Sequence, residues 1–350
     1  VSESMDGDAK ADLIVSARGF KEQVTDVKTN SGKLLIFNGS TSGLEHLRNI
    51  TQTKNGPMFG QSFASNGDLN GDGMSDLIVS NTGDNASPLG LSSIEIFFGG
   101  LNGYNGTIDQ SIVSNLQGKL FGSSINYIGD VNSDGFDDFM FNEPFNGSSY
   151  RSGKIWAYYG SATGIASDAP DYILQSMDAN AWLGRTIMPA GDVNEDGYDD
   201  VLIMQASSGD SGKVELILGS SIGLRSDWEL LATGQTGENI GMLAATHGDI
   251  DGDGLSEIIL SRRDMSTEPS TLMYQIHSER DWESTSFLYG GNLTQLDLST
   301  SARGETSMLL TFQNNASYYT EHVNDATPAG VWKTTRVVDS SNQSQYYAFT

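Results

Sequence analysis

The apolar residues of this chain fall in short runs separated by Gly, Asn, Asp and Ser. Leu77-Ile78-Val79, Phe139-Met140-Phe141, Val201-Leu202-Ile203 and Ile258-Ile259-Leu260 are the clearest. Runs of this length, bounded by turn residues, read as buried strands. Each is preceded by an aromatic or aliphatic residue joined to glycine, at Phe59-Gly60, Phe121-Gly122, Leu183-Gly184 and Ile240-Gly241. Each is followed by a third segment, such as GKIWAYYG at 153–160 or GKVELILG at 212–219. That segment ends in a Gly-Ser-x-x-Gly turn at Gly39 to Gly43, Gly160 to Gly164 and Gly219 to Gly223. A fourth segment carries Tyr172, Trp228, Trp282 or Trp332, which the repeat predicts to pack between neighbouring sheets. Four short strands per period of about sixty residues are the pattern of β-propeller blades.

The connection between the first and second strands is acidic and nine residues long. One copy holds Asp68, Asn70, Asp72 and Asp76, and the next Asp130, Asn132, Asp134 and Asp138. Further copies hold Asp192, Asn194, Asp196 and Asp200, then Asp249, Asp251, Asp253 and Glu257. Oxygen side chains thus stand at positions 1, 3, 5 and 9, with glycine at position 6 (Gly73, Gly135, Gly197, Gly254). Calcium takes about six to eight oxygen ligands, and this alternation wraps a loop around such an ion. Position 7 (Met74, Phe136, Tyr198, Leu255) varies freely, as suits a ligand supplied by its backbone carbonyl. A weaker copy at the N-terminus offers Ser4, Asp6, Asp8, Lys10 and Asp12, with Ala9 at position 6. A sixth copy, Asp297 to Glu305, carries Ser299, Ser301 and Arg303 and is expected to have lost its metal.

Two other readings of the loops compete. An EF-hand needs a carboxylate at position 12 and flanking helices. Here position 12 is Val79, Phe141, Ile203 or Leu260, each inside an apolar run. Metal-free turns would leave three or four carboxylates within nine residues to repel one another. The sequence therefore predicts four calcium sites, with a fifth at Ser4–Asp12. Each would be a structural staple of a hairpin, with no catalytic role.

Composition narrows the setting. The 350 residues include no cysteine and carry a formal charge of −26, from 45 acidic and 19 basic residues. That charge argues against nucleic acid and anionic membrane surfaces as partners. No apolar run of membrane-spanning length is present, so direct membrane insertion is not expected. Open calcium loops of extracellular modules work at roughly 10⁻⁴–10⁻³ M calcium, which points to an extracellular location. Metal would then replace the disulfides used elsewhere as staples.

The Phe-Gly pair, the acidic loop and the segment after it, where Asn142-Glu143-Pro144 stands in place of Gly-Ala-Pro, resemble FG-GAP repeats. Such repeats build the β-propeller headpiece of integrin α subunits. The resemblance spans nearly the whole chain and is weakest after about residue 285. The other copies lack Gly-Ala-Pro, reading Ser80-Asn81-Thr82, Met204-Gln205-Ala206 and Ser261-Arg262-Arg263. The resemblance implies an all-β fold, one propeller over residues 1–350 with about six four-stranded blades, seven being the alternative. The segment 343–350 would close the ring by joining the first blade.

The same resemblance implies a cell-surface or secreted adhesion module that binds protein or glycan, as part of a larger surface protein or assembly. A secreted polysaccharide lyase or hydrolase is the alternative in another class, and a subunit of a surface layer or filament a third. A lyase would need His247 or His277 beside Arg and Tyr in one cleft. The four histidines share no repeat position and no metal-ligand spacing. No nucleophile motif is evident, so no catalytic residue is assigned.

Overall fold

A computed structural model describes most of residues 4–264 and, beyond 264, the course of the strands. Residues 1–3, 52–57, 83–90, 145–150, 206–210 and 249–256, several shorter connections and the stretches between the later strands are outside the description.

Every described element is a strand. The first sheet has three, Leu13–Ser16, Lys33–Ser40 and Gly43–Thr51, in that order. A separate hairpin pairs Lys21–Val24 with Val27–Asn30. Four sheets of four strands follow. The second sheet runs Met58–Gly67, Asp76–Thr82, Leu91–Phe97 and Gln110–Gln117. The third runs Ile125–Gly129, Asp138–Glu143, Lys154–Tyr158 and Tyr172–Gln175. The fourth runs Leu183–Gly191, Asp200–Gln205, Lys213–Ile217 and Trp228–Thr233. The fifth runs Ala244–Gly248, Glu257–Asp264, Thr271–His277 and Ser284–Tyr289.

In each sheet, strands adjacent in sequence are adjacent in space, and the pairing is antiparallel. This is the four-stranded meander of a β-propeller blade. The chain divides into two compact units, Val1–Pro189 with Leu218–Ser226, and Ala190–Ile217 with Asp227–Thr350.

The sixth sheet ends in a hairpin of its own. It has five strands, Asn292–Thr300, Thr306–Asn314, Ser317–Ala326, Trp332–Ser340 and Gln343–Tyr346. The last strand folds back on its predecessor, with Ser340 opposite Gln343 and Val337 opposite Tyr346. Its described pairing is thus within the sixth sheet. A two-residue connection makes the local hairpin the cheaper partner, because a short loop loses little entropy on closing.

Burial follows strand position. The second strands Asp76–Thr82, Asp138–Glu143 and Asp200–Gln205 are buried at every residue. A strand covered on both faces shows a continuous apolar run, which is why Leu77-Ile78-Val79 and its counterparts do not alternate. The third strands Lys154–Tyr158 and Lys213–Ile217 alternate between half-buried and buried. One core cluster joins the second and third sheets through Ile78, Ile94, Ile96, Phe121, Phe139, Phe141 and Tyr158. Within it Phe139 of the second strand stacks on Tyr158 of the third at 5.5 Å, and Phe121, ahead of the first strand, meets Phe141 edge-on at 4.6 Å.

The fourth-strand aromatics do not fill this role. Trp228 is 41% exposed, and Tyr172 is half-buried, its hydroxyl donating to the Arg225 carbonyl at 3.2 Å. Outer strands face one neighbour only, so a repeated aromatic there stays at the rim. Trp282 and the side chain of Trp332 lie outside the described residues.

The Phe-Gly pair couples one sheet to the preceding one. Gly122 has φ +75°, and a Cβ there would sit 2.3 Å from Ile94 Cδ1 and 3.2 Å from Ser80 Cβ. Gly184 meets Ile155 and Asn142 in the same way, and Gly241 meets Val214 and Met204. Only glycine combines that backbone with that close approach. Asn142 spans the same joint: its Oδ1 accepts from the Ser124 amide at 2.9 Å and its Nδ2 donates to the Gly184 carbonyl at 2.8 Å.

Candidate metal centres

The acidic loops lie between the first and second strands of their sheets, where the pattern placed them. In the loop Asp68–Asp76 the carboxylate of Asp68 accepts from the amides of Gly71 (2.7 Å), Asp72 (3.1 Å) and Gly73 (2.7 Å). Asn70 Oδ1 accepts from the Asp72 amide at 3.0 Å, and Asp72 Oδ1 from the Met74 amide at 2.9 Å. The loop Asp130–Asp138 repeats these bonds with Asp130, Asn132 and Asp134, except that the Ser133 amide donates to the Asp130 backbone carbonyl. The loop Asp192–Asp200 repeats them with Asp192, Asn194 and Asp196. Positions 1, 3 and 5 are thus ordered in sequence by side-chain-to-backbone turns, the local chemistry that Asp and Asn favour.

Position 9 does something the spacing did not reveal. Asp76 is fully buried; its Oδ2 accepts from the Leu69 amide at 2.9 Å and its Oδ1 from the Gly99 amide at 2.8 Å. Asp138 makes the same pair of bonds to Val131 (3.0 Å) and Gly160 (2.9 Å). Asp12 makes them to Met5 (2.9 Å) and Gly39 (2.8 Å). Asp200 accepts from Val193 at 3.0 Å. One carboxylate therefore ties the start of the loop to the end of the third strand. The signal available in the sequence was the glycine recurring there, at Gly39, Gly99, Gly160 and Gly219.

Neighbouring loops are also bonded to each other within the first unit. The Ser75 amide donates to the Ser4 carbonyl at 3.2 Å, and the Asp137 amide to the Asp68 carbonyl at 3.0 Å. Asp137 Oδ2 accepts from the Asp68 amide at 2.7 Å. The carbonyls of Met5, Leu69 and Val131 each accept from the turn after the third strand of the next sheet, at Gly100, Ser161 and Ser220 (3.1 Å each).

Among the described residues no three acidic or histidine side chains close on one point. The carboxylates are turned onto loop amides. Even so, the three loops concentrate three, four and five carboxylates and an asparagine each within nine residues, with no basic residue among them. Burial pushes Asp76 up to about 7 and Asp138 up to about 8; backbone amides oppose this, and the position 1 and 5 carboxylates add to it. A hard oxygen donor set with uncompensated negative charge fits a cation such as calcium.

The fourth loop, Asp249, Asp251, Asp253 and Leu255, lies outside the described residues, as does the side chain of Glu257. So do the side chains of His247, His277, Arg262 and Arg263. His46 is exposed and bonds Asn49 Oδ1 at 3.0 Å.

The loop geometry also stores strain. Position 4 is left-handed in the four described loops: Gly7 (φ 75°), Gly71 (71°), Ser133 (55°) and Glu195 (56°). A side chain in this region costs about 1–2 kcal/mol, partly offset by the greater freedom of an unfolded glycine. Ser133→Gly is therefore expected to stabilise the protein by about 0.5–1 kcal/mol, read as a higher urea midpoint. An unchanged or lower midpoint would contradict the strain.

No family model matches the chain. It is 29% identical over 185 residues to integrin alpha-PS5 of Drosophila melanogaster, covering 50% of this chain and 17% of that protein. Integrin alpha-V of Gallus gallus is 29% identical over 189 residues, 49% of this chain and 17% of its own length. Integrin alpha-5 of Xenopus laevis is 25% identical over 279 residues, 74% of this chain and 25% of its own. The chain thus spans no more than about a quarter of the length of these relatives. The repeated acidic loop, the four-stranded meanders it introduces and these similarities together support a likeness to the FG-GAP, integrin-α-like family.

Proposed function

We propose that the chain is an extracellular calcium-stabilised binding module of a larger cell-surface protein. In this reading the six sheets are blades of one β-propeller. Calcium fills the loops at Asp68–Asp76, Asp130–Asp138, Asp192–Asp200 and Asp249–Glu257, held by positions 1, 3, 5 and 9 and the carbonyl of position 7. The ion fixes each hairpin, and the rigid sheets present connecting loops to a protein partner. Similarity to integrin α subunits supports the adhesion role.

The observation that carries the reading is the recurring position 9 carboxylate, buried beneath an acidic loop and tied to the third strand. A site built so deeply into the sheet is a scaffold, and leaves recognition to other loops. The described residues supply no competing catalytic arrangement. The larger cavity, about 690 Å³, lies among Ser4, Lys10, Asp68, Met74 and Asp137, against the metal loops themselves. The second, about 350 Å³, is lined by Phe121, Glu143, Lys154, Trp156 and Tyr158. There Lys154 already covers the Trp156 ring at 3.6 Å, while the indole donates to Glu143 at 3.2 Å.

The test is a binding screen of the calcium-loaded chain against purified matrix and cell-surface proteins, beside a polysaccharide panel. Saturable protein binding that is lost in EGTA is expected. Depolymerisation of a polysaccharide without protein binding would favour the enzymatic alternative.

A further inference from the structure

We infer that the first loop, Ser4 to Asp12, is closed by its own ammonium group, Lys10, and does not take a metal. This deepens the calcium reading, on which it rests only for the contrast between loops.

The contrast begins with charge. The other described loops hold three to five carboxylates and no basic residue, whereas Asp6, Asp8 and Asp12 share theirs with Lys10. Position 7 contributes only a carbonyl to a metal, so its side chain is free to take any role. Here Lys10 turns its Nζ onto Asp8 Oδ2, the position 5 carboxylate, in an ion pair. The Lys10 amide also donates to Asp8 Oδ1 at 2.9 Å.

Position 3 is satisfied as well. Asp6 Oδ1 accepts from the Ser4 hydroxyl at 3.2 Å, and Asp6 Oδ2 accepts from Asn38 Nδ2 at 3.0 Å. Asn38 belongs to the strand Lys33–Ser40, so this donor comes from outside the loop. Asp6 Oδ1 also accepts from the Asp8 amide at 3.1 Å, as its counterparts Asn70, Asn132 and Asn194 accept within their own loops, so the bond from Asn38 is the one that sets Asp6 apart.

Position 1 is changed in kind: Ser4 is a neutral hydroxyl that donates to Asp6, where the other loops carry an acceptor carboxylate. Position 6 is Ala9 at φ 60°, where the others have glycine. A dication entering this loop would have to displace an ammonium and a side-chain amide from its two outer carboxylates. It would gain a weaker ligand set in return. An ammonium is a compact point charge and fills the same electrostatic role.

The consequence reaches the second loop. The first loop offers the carbonyls of Ser4 and Met5 to the amides of Ser75 and Gly100. A lysine-closed first loop is therefore a calcium-independent abutment against which the Asp68–Asp76 loop is built.

Exposed ion pairs add little to global stability, so the test must be local. Hydrogen exchange of the peptides spanning residues 4–12 and 38–39 would be followed in calcium and in EGTA, for the natural chain, Lys10→Met and Lys10→Arg. In the natural chain, protection of these peptides is expected to be equal in both conditions while the Asp68–Asp76 loop loses protection in EGTA. Lys10→Met should exchange several-fold faster in EGTA, and Lys10→Arg should resemble the natural chain. Chelator-sensitive protection of residues 4–12 in the natural chain would overturn the inference. So would natural protection in Lys10→Met under EGTA. If EGTA leaves every loop unchanged, the calcium reading fails; the Lys10→Met comparison still decides this one.

Discussion

Gly153→Ala is expected to destabilise the first unit by about 3 kcal/mol or more. Gly153 has φ +86°, and an added Cβ would lie 2.5 Å from the Leu183 nitrogen and 2.7 Å from its oxygen. Those atoms are backbone of the next sheet's first strand and are themselves bonded, the Leu183 amide donating to the Ser152 carbonyl at 3.2 Å. Left-handed backbone costs an alanine about 1–2 kcal/mol, and forcing a methyl against fixed atoms adds about 1–3. Gly191 provides the control. Its φ is +74° with nothing within 4 Å of a Cβ, so Gly191→Ala should cost only the backbone share. Urea denaturation of both variants decides the matter. Equal losses would show that close approach between the sheets contributes nothing.

Chelation is expected to lower the melting midpoint by roughly 10 °C or more at neutral pH. An ion present at about 100 times its dissociation constant stabilises by about 2.7 kcal/mol per site, and at least three loops are concerned. The effect should depend on pH in a defined sense. Burial raises Asp76 to about 7 and Asp138 to about 8 from the ordinary 3.8, so without metal the folded protein holds protons that the unfolded chain releases. Their relative stabilisation is complete below about pH 4 and is lost as pH rises through 7 and 8. In EGTA the midpoint should therefore fall between pH 5 and pH 8. In calcium the ion takes the place of those protons, and the gap between the two conditions should widen over the same window. A melt indifferent to EGTA across this range would remove calcium from the account. A gap that narrows with pH would show that Asp76 and Asp138 ionise freely without the ion.

Much of the repeat was legible before any coordinates. The run Leu77-Ile78-Val79 and its counterparts announced second strands, and they proved buried on both faces. The glycine of each Phe-Gly pair marked a crowded, left-handed site. Other features were not legible, because they depend on what a residue faces. Trp228 and Tyr172 share a repeat position with the look of a core contact, yet the fourth strand has a neighbour on one side only. The last strand has a partner in its own hairpin, a pairing the sequence pattern did not announce. Position 9 looked like one more metal ligand. Its two bonds, back to position 2 and across to the third strand, show only when the strands are paired.

The sequence by itself determined the period, the order of strands within each blade and the acidic loops between first and second strands. These are local properties: turn chemistry, spacing of carboxylates and short apolar runs are written residue by residue. Only the tertiary structure decided which carboxylates are buried, which aromatics meet and how one loop leans on the next. Those outcomes depend on the approach of segments about sixty residues apart, where packing density and desolvation act. The first loop shows the difference most clearly. Its spacing matches a calcium site, and only the placement of Lys10 and Asn38 shows that Asp8 and Asp6 already have partners.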